Sequence, residues 1–257
     1  METTTVRVRN GAFETEVLKG GSGQPLLYLH GEMGADERGF LDELAGRFEV
    51  TAPRHPGYGA STGDDHLIEL HDMLYYYLDF LDEVGLRDIP VVAHGLGGMF
   101  ALELAAMQPE RFRKLAVIAP FGLWDAVNPV PDFFVFSPDD LKQANFHNPD
   151  SSAAETMAMP QNEGDTQAIL ERVKSQRVAA KYLWPIPNRG LAKRIHRVRM
   201  PTLLLWGASD GIVPVSYADD FAGRLPDASK EVIPEAGHLA HLEQQDRVLA
   251  ALDRFLS

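Results

Sequence analysis

The sequence predicts an α/β fold, a mostly parallel sheet of about eight strands with helices on both faces. Three observations carry that expectation. Short apolar runs rich in branched residues, at 25–30, 89–93, 114–119 and 201–206, lack polar alternation and read as strands buried on both faces. Amphipathic helical patterns lie between them; Leu67, Leu70, Leu74, Leu78 and Leu81 recur at three- and four-residue spacing. Between Ile89 and Ala119 the order is strand, helix, strand, which requires a right-handed crossover to a parallel neighbour.

The elements follow in chain order. Residues 5–9 and 13–18 alternate in period two around Asn10-Gly11 and predict an antiparallel hairpin. Gly20-Gly21-Ser22-Gly23 ends it, and the strand at 25–30 runs into the turn His30-Gly31-Glu32-Met33-Gly34. Phe40, Leu41, Leu44 and Phe48 mark a helix, and 49–53 is the next strand. The loop Arg54-His55-Pro56-Gly57-Tyr58-Gly59-Ala60-Ser61 leads to the leucine-spaced helix, which ends near Gly85. Asp64, Asp65, His66, His71 and Asp72 suggest metal ligands, but His66 and His71 are five apart and do not share a helix face, so they read as a solvated helix start. Tyr75, Tyr76 and Tyr77 point three ways around that helix and make no single platform. Strand 89–93 passes through His94-Gly95-Leu96-Gly97 into a helix at 98–107 whose one charge is Glu103.

After strand 114–119 the alternation breaks. Residues 121 to about 187 contain Pro129, Pro131, the aromatic cluster Phe133, Phe134 and Phe136, a helix start at Ser137-Pro138-Asp139-Asp140, and helical stretches from Ser151 and at 166–183. Such an insertion reads as a helical cap over a pocket, or as a plain helical decoration. The sheet resumes at 201–206 after a short basic helix at 191–196. The last strand is 230–234, and Val248, Leu252 and Phe255 line a closing helix.

Composition bounds the function. The 257 residues, 45% of them apolar, suit one large globular domain. A formal net charge of −13 opposes phosphate backbones and anionic lipid, so neither nucleic acid nor membrane is expected as a partner. No apolar run approaches the length of a membrane span, and the first residues lack a basic start and apolar core of a secretory signal. The absence of cysteine excludes disulfides and a thiol nucleophile, and cytoplasmic residence is expected. No metal or cofactor is expected, and the oligomeric state is open between monomer and homodimer.

A strand feeding a helix through a glycine-rich turn aims backbone N–H groups at one point above the sheet. A dinucleotide fingerprint needs G-x-G-x-x-G, but Phe100 stands at the third glycine and the next strand ends in Ala119-Pro120 without an acid. The nucleophile elbow G-x-S-x-G fits Ala93-His94-Gly95-Leu96-Gly97 with two departures, a mild one at Ala93 and a severe one at Gly95, where the hydroxyl belongs.

On these residues the chain resembles the α/β-hydrolase superfamily, nearest its capped esterase-like and C–C bond hydrolase-like branches. The likeness runs from the His30-Gly31 turn through Pro56-Gly57-Tyr58-Gly59-Ala60-Ser61 to Trp206-Gly207-Ala208-Ser209-Asp210-Gly211-Ile212-Val213-Pro214 and Ala236-Gly237-His238 with His241-Leu242-Glu243. It implies a core domain of 1–120 and 188–257 with a helical cap at 121–187. It implies Gly95 at the nucleophile position where Ser is expected, Asp210 as the acid that orients the imidazole, and His238 as general base. The backbone N–H groups of Glu32 and Leu96 become the oxyanion hole, although a carboxylate at residue 32 departs from the small or apolar side chain expected there. Phe133, Phe134, Phe136 and Trp184 become candidate substrate contacts.

Three functions fit. The first is a hydrolase of a small apolar carboxylic ester, or a related acyl or C–C bond, inactivated by glycine at the nucleophile position; Gly95→Ser is then expected to restore activity. The second is a non-hydrolytic enzyme of lyase or cofactor-free oxygenase type with His238 as base. The third is a ligand-binding protein that lost the chemistry.

Overall fold

The computed structural model describes residues 1–34, 37–155, 166–184 and 189–257. Among these, eight strands form one sheet: β1 (Glu2–Val8), β2 (Phe13–Gly20), β3 (Pro25–Leu29), β4 (Glu49–Pro53), β5 (Ile89–His94), β6 (Phe112–Ile118), β7 (Thr202–Gly207) and β8 (Ala228–Ile233). Their order is β1-β2-β4-β3-β5-β6-β7-β8. Only the β1–β2 and β2–β4 pairs are antiparallel; the rest are parallel. β5 therefore sits inside the sheet with β3 and β6 as neighbours, which fits its lack of polar alternation.

The helices are α1 (Arg38–Ala45), α2 (Leu70–Glu83), α3 (Gly95–Met107), α4 (Pro138–Asn145), α5 (Ser152–Glu155), α6 (Thr166–Leu183), α7 (Tyr217–Arg224), α8 (Ala240–Glu243) and α9 (Gln245–Leu256). Two large apolar cores hold most of them, and a small third cluster joins Ala154 of α5 to Phe146 and Leu239. Val91 and Ala93 of β5, Leu115 and Val117 of β6, and Leu204 and Trp206 of β7 pack with α2, α3 and α7. The alternate residues Val92, Ala116, Ile118, Leu203 and Leu205 pack with α1 and α9. The period-two split hidden in these runs is thus the split between the two faces of the sheet.

Some boundaries move for physical reasons. β1 starts at Glu2 because its threonines pair with β2, Thr4 opposite Val17. α2 starts at Leu70 rather than Leu67 because Asp72 Oδ2 accepts the Ile68 and Glu69 N–H groups, both at 2.9 Å, and so ends the chain's approach there. Leu67 is still buried. Of the three consecutive tyrosines, Tyr76 and Tyr77 are buried and Tyr75 is exposed. The expected basic helix at 191–196 is two short 3₁₀ turns, Leu191–Lys193 and Ile195–Arg197. Between them Arg194 reaches Glu103, the single charge of α3, with two hydrogen bonds of 2.8 and 2.6 Å.

Between β6 and β7 the chain carries α4, α5 and α6. α6 is tied to the loop after β4: Lys174 donates to the Gly59 carbonyl, Arg177 to Asp64 and Lys181 to the Asp64 carbonyl. Asp64, read from sequence as part of a solvated helix start, is one of these anchors. Residues 156–165 and 185–187 of the expected cap lie outside the described residues. No helix among the described residues is long and apolar enough to cross a membrane.

Candidate active site

Four loops at the C-terminal ends of parallel strands converge above β5. The β5–α3 corner is the sharpest. His94 is still extended, and Gly95 turns at φ +49° into the helix. A side chain is disfavoured there by the left-handed backbone, and a glycine suits it. Gly97 is needed for a different reason: a Cβ would come within 2.4 Å of the Leu29 and His30 carbonyls, so α3 could not lie so close to β3.

Asp210 sits in the loop after β7. Its Oδ1 accepts the Ile212 and Val213 N–H groups at 2.9 and 2.8 Å, and its Oδ2 faces His238 Nδ1 at 2.9 Å. The turn-forming role open to any such aspartate and the imidazole-orienting role are filled at once, one by each oxygen. His238, after β8, is fully buried. Its Nδ1–H donates to Asp210, which leaves Nε2 facing the corner.

Glu32 is where the structure departs from the sequence expectation. Its side chain is 1% exposed and turns inward. Oε2 accepts the Leu96 N–H at 3.3 Å, and Oε1 stands 3.3 Å from His238 Nε2. The Leu96 donor assigned to an oxyanion is thus engaged by a resident carboxylate, so Leu96 and Glu32 do not form an open oxyanion hole. The Tyr58 hydroxyl donates to the Glu32 carbonyl at 2.9 Å and fixes this turn from the Gly57–Gly59 loop. The same carboxylate stands against Gly95. A Cβ at residue 95 would come within 2.3 Å of Glu32 Oε2, and 3.4 Å from His238 Nε2.

Burial alone lowers the His238 pKa, but the Asp210 and Glu32 carboxylates outweigh it and raise it to about 10. Burial raises that of Glu32, yet His238 and the Leu96 N–H overcome this and hold it below the usual carboxylate value. His94 lies beneath, held neutral by burial and by His241 and His238. Its Nε2–H donates to the His238 carbonyl at 3.1 Å. Behind it, His241 Nε2 meets Glu37 Oε1 at 3.0 Å.

The aromatic residues divide. The Phe121 ring lies 5.8 Å from the His238 ring and 5.7 Å from Phe133, and Phe133 stacks on Phe134 at 4.4 Å. Phe133 is buried, and Phe134 and Phe136 are half-buried. Trp184 is half exposed. A cleft of about 440 Å³ lies between α6 and the β4 loop, lined by residues including Gly34, Tyr58, Arg54 and Ser175. It borders the Glu32 turn through Gly34 and Tyr58, and none of the four predicted aromatics lines it.

Sequence reasoning missed the inward role of the Glu32 side chain and the position of His94. The signal for Glu32 was a double departure, a glycine where a nucleophile belongs together with an acid where a small residue belongs. His94 carried no signal, since histidine is ordinary before the elbow.

Comparison with known proteins agrees with this fold. A family model described as the alpha/beta hydrolase fold matches residues 24–245. The chain is 28% identical over 258 residues to the dihydrolipoyllysine-residue acetyltransferase component of an acetoin cleaving system from Cupriavidus necator, covering 93% of this chain and 65% of that protein. The chain thus spans less than two thirds of that relative's length. It is 24% identical over 266 residues to a 2-hydroxy-6-oxo-6-(2'-aminophenyl)hexa-2,4-dienoic acid hydrolase from Metapseudomonas resinovorans, covering 97% of this chain and 90% of that one. A meta-cleavage product hydrolase structure from Pseudomonas fluorescens superposes with a TM-score of 0.80 at 18% identity, covering 98% and 97% of the two chains.

Proposed function

The chain belongs to the alpha/beta hydrolase fold family, and we propose that it hydrolyses a small apolar acyl substrate by direct attack of water, without a covalent intermediate at the elbow. The observation that carries this reading is the Glu32 carboxylate over Gly95, bonded to the Leu96 N–H and 3.3 Å from His238 Nε2. Loss of a nucleophile alone would leave a vacant elbow beside an intact oxyanion hole. Here the two departures fit each other, since a side chain at residue 95 and the carboxylate would compete for one space. The complete Asp210–His238 pair speaks for chemistry over simple ligand binding.

In this reading Glu32 and His238 hold and polarise a water above Gly95. The water adds to the acyl carbon, and collapse of the adduct expels the leaving group, which takes up the proton the water gave. Phe121, Phe133 and Phe134 support an apolar group on the substrate. The 6-oxo-dienoate names of hydrolase relatives add C–C bonds beside a carbonyl to the candidate targets. The engaged Leu96 N–H favours, as a second reading, acid–base chemistry without hydrolysis, as in a lyase.

The test is turnover of short aliphatic and aryl esters and of 6-oxo-dienoates, with intact-protein mass spectrometry during the reaction. Linear product formation with no acyl adduct is expected, together with indifference to fluorophosphonates. A stoichiometric burst with a trapped adduct contradicts the mechanism. Products of elimination rather than of water addition move the assignment to the second reading.

A further inference from the structure

Glu32 Oε1 and His238 Nε2 face each other as an ion pair at 3.3 Å, and they and His94 Nδ1 are buried atoms that no well-aligned hydrogen bond satisfies. Their residues are 1%, 0% and 1% exposed. A buried polar atom left in this way is costly, and three in one cluster call for a common partner. One ligand atom from each of Glu32, His94 and His238 lies within 4.8 Å of the others. We propose that these three side chains bind one divalent transition-metal cation of the zinc class, a reading that rests on the water-attack mechanism above and supplies its activating group.

The geometry suits such an ion. Glu32 Oε1 and His238 Nε2 are 3.3 Å apart, out of line for a hydrogen bond between them. Two donors on a tetrahedral zinc with bonds of about 2.0–2.1 Å stand about 3.3 Å apart. Two imidazoles and one carboxylate also form the donor set of catalytic sites that keep an open position.

Each donor is oriented from behind, as metal ligands generally are. His238 gives its Nδ1–H to Asp210 at 2.9 Å, which leaves Nε2 for the cation. His94 gives its Nε2–H to the His238 carbonyl at 3.1 Å, which fixes the tautomer with a lone pair on Nδ1. Glu32 has Oε2 held by the Leu96 N–H, which leaves Oε1. Two glycines make the room. A Cβ at residue 31 would come within 2.3 Å of His94 Nδ1, and one at residue 95 would crowd Glu32 and His238. A cation between Glu32 and His238 would lie beside Gly95, where a Cβ would come within 2.3 Å of Glu32 Oε2 and 3.4 Å of His238 Nε2. It polarises a bound water and a substrate carbonyl, the two tasks that the absent hydroxyl and the engaged Leu96 N–H leave unfilled.

A neighbouring set, Glu37, His94 and His241, is also compact. There Glu37 and His241 already bond each other at 3.0 Å, so it offers fewer free donors.

The test is calorimetry on the untagged, EDTA-dialysed full chain with zinc chloride, and visible absorption with cobalt chloride. One cation per chain with submicromolar affinity, a rise in melting temperature on adding zinc, and cobalt bands typical of four- or five-fold coordination are expected. Asp210→Asn should weaken binding by about 10–100-fold through its hold on His238. Glu32→Gln should weaken it more, and Glu37→Gln should leave it unchanged. Circular dichroism reports whether each variant folds, and the parent's zinc titration and the Asp210→Asn comparison stand if Glu32→Gln does not. Absence of one-to-one binding in the parent overturns the proposal, and so does binding that survives Glu32→Gln or is lost instead in Glu37→Gln. Ester turnover by a chain that binds no cation overturns the metal site and leaves the water-attack mechanism standing. Cation binding without turnover does the reverse.

Discussion

Gly95→Ser tests whether the elbow and the Glu32 turn are one design. The left-handed φ of +49° costs a residue with a Cβ about 1–2 kcal/mol. The new Cβ would also lie 2.3 Å from Glu32 Oε2, so the carboxylate must swing away. That breaks its charge-assisted hydrogen bond with the Leu96 N–H, a loss of about 1.5–3 kcal/mol. Gly95→Ser should therefore destabilise the protein by about 2.5–5 kcal/mol, on the order of 10 °C in melting temperature for a chain of this size. Glu32→Ala removes the collision. In a double-mutant cycle by urea unfolding, the two changes should couple favourably by about 1.5–3 kcal/mol. The same cycle has a chemical readout. Only the double variant should place a free hydroxyl near His238 and react with a fluorophosphonate. Additive stabilities, or fluorophosphonate labelling of the single Gly95→Ser variant, would refute the reasoning.

Other outcomes follow from the buried charges. Burial holds His55 neutral, with its pKa lowered to about 3, and holds His30 well below its ordinary value. The unfolded chain binds protons at these sites from about pH 6.5 downward, so their contribution to stability is complete above that pH and falls toward pH 3 by up to about 1.4 kcal/mol per unit for each histidine. Urea midpoints between pH 7.5 and 4.5 check this, and a flat profile contradicts it. Arg194→Ala strands the buried Glu103 carboxylate and should cost about 3–5 kcal/mol, while Arg194→Met with Glu103→Leu should recover most of that loss; equal losses in both variants would count against the pairing. Phe133→Ala should raise KM for aryl substrates more than it lowers kcat, read from steady-state kinetics, because it removes apolar wall behind Phe121 and leaves the reacting groups in place.

The architecture was legible because continuous apolar strands and leucine-spaced helices have few alternative arrangements. β5 through β7 were visible as runs without polar alternation, and the strand-helix-strand order required parallel neighbours. Asp210 and His238 were legible from their positions just after strands, and the structure brings them to 2.9 Å. Glu32 was visible as a residue, but the direction of its side chain was not. A carboxylate beside a presumed oxyanion site should turn to solvent unless something inside receives it, and the receivers, the Leu96 N–H and His238, come from distant parts of the chain. The Arg194–Glu103 pair shows the same limit, since a mid-helix acid and a basic turn about 90 residues on become partners only after packing. Which of the aromatics lie near His238 is not legible in the sequence; Phe133 faces Phe121, whereas Trp184, beyond the end of α6, is half exposed.

The central claim is that the Glu32 carboxylate holds and polarises the attacking water above Gly95. The most direct measurement is kcat/KM of the parent and of Glu32→Gln, a change that keeps shape and removes charge, on the acyl substrate the parent turns over best. The account predicts a loss of about 10²–10⁴-fold in a variant that still folds. A Glu32→Gln enzyme as active as the parent, or more active, would contradict it.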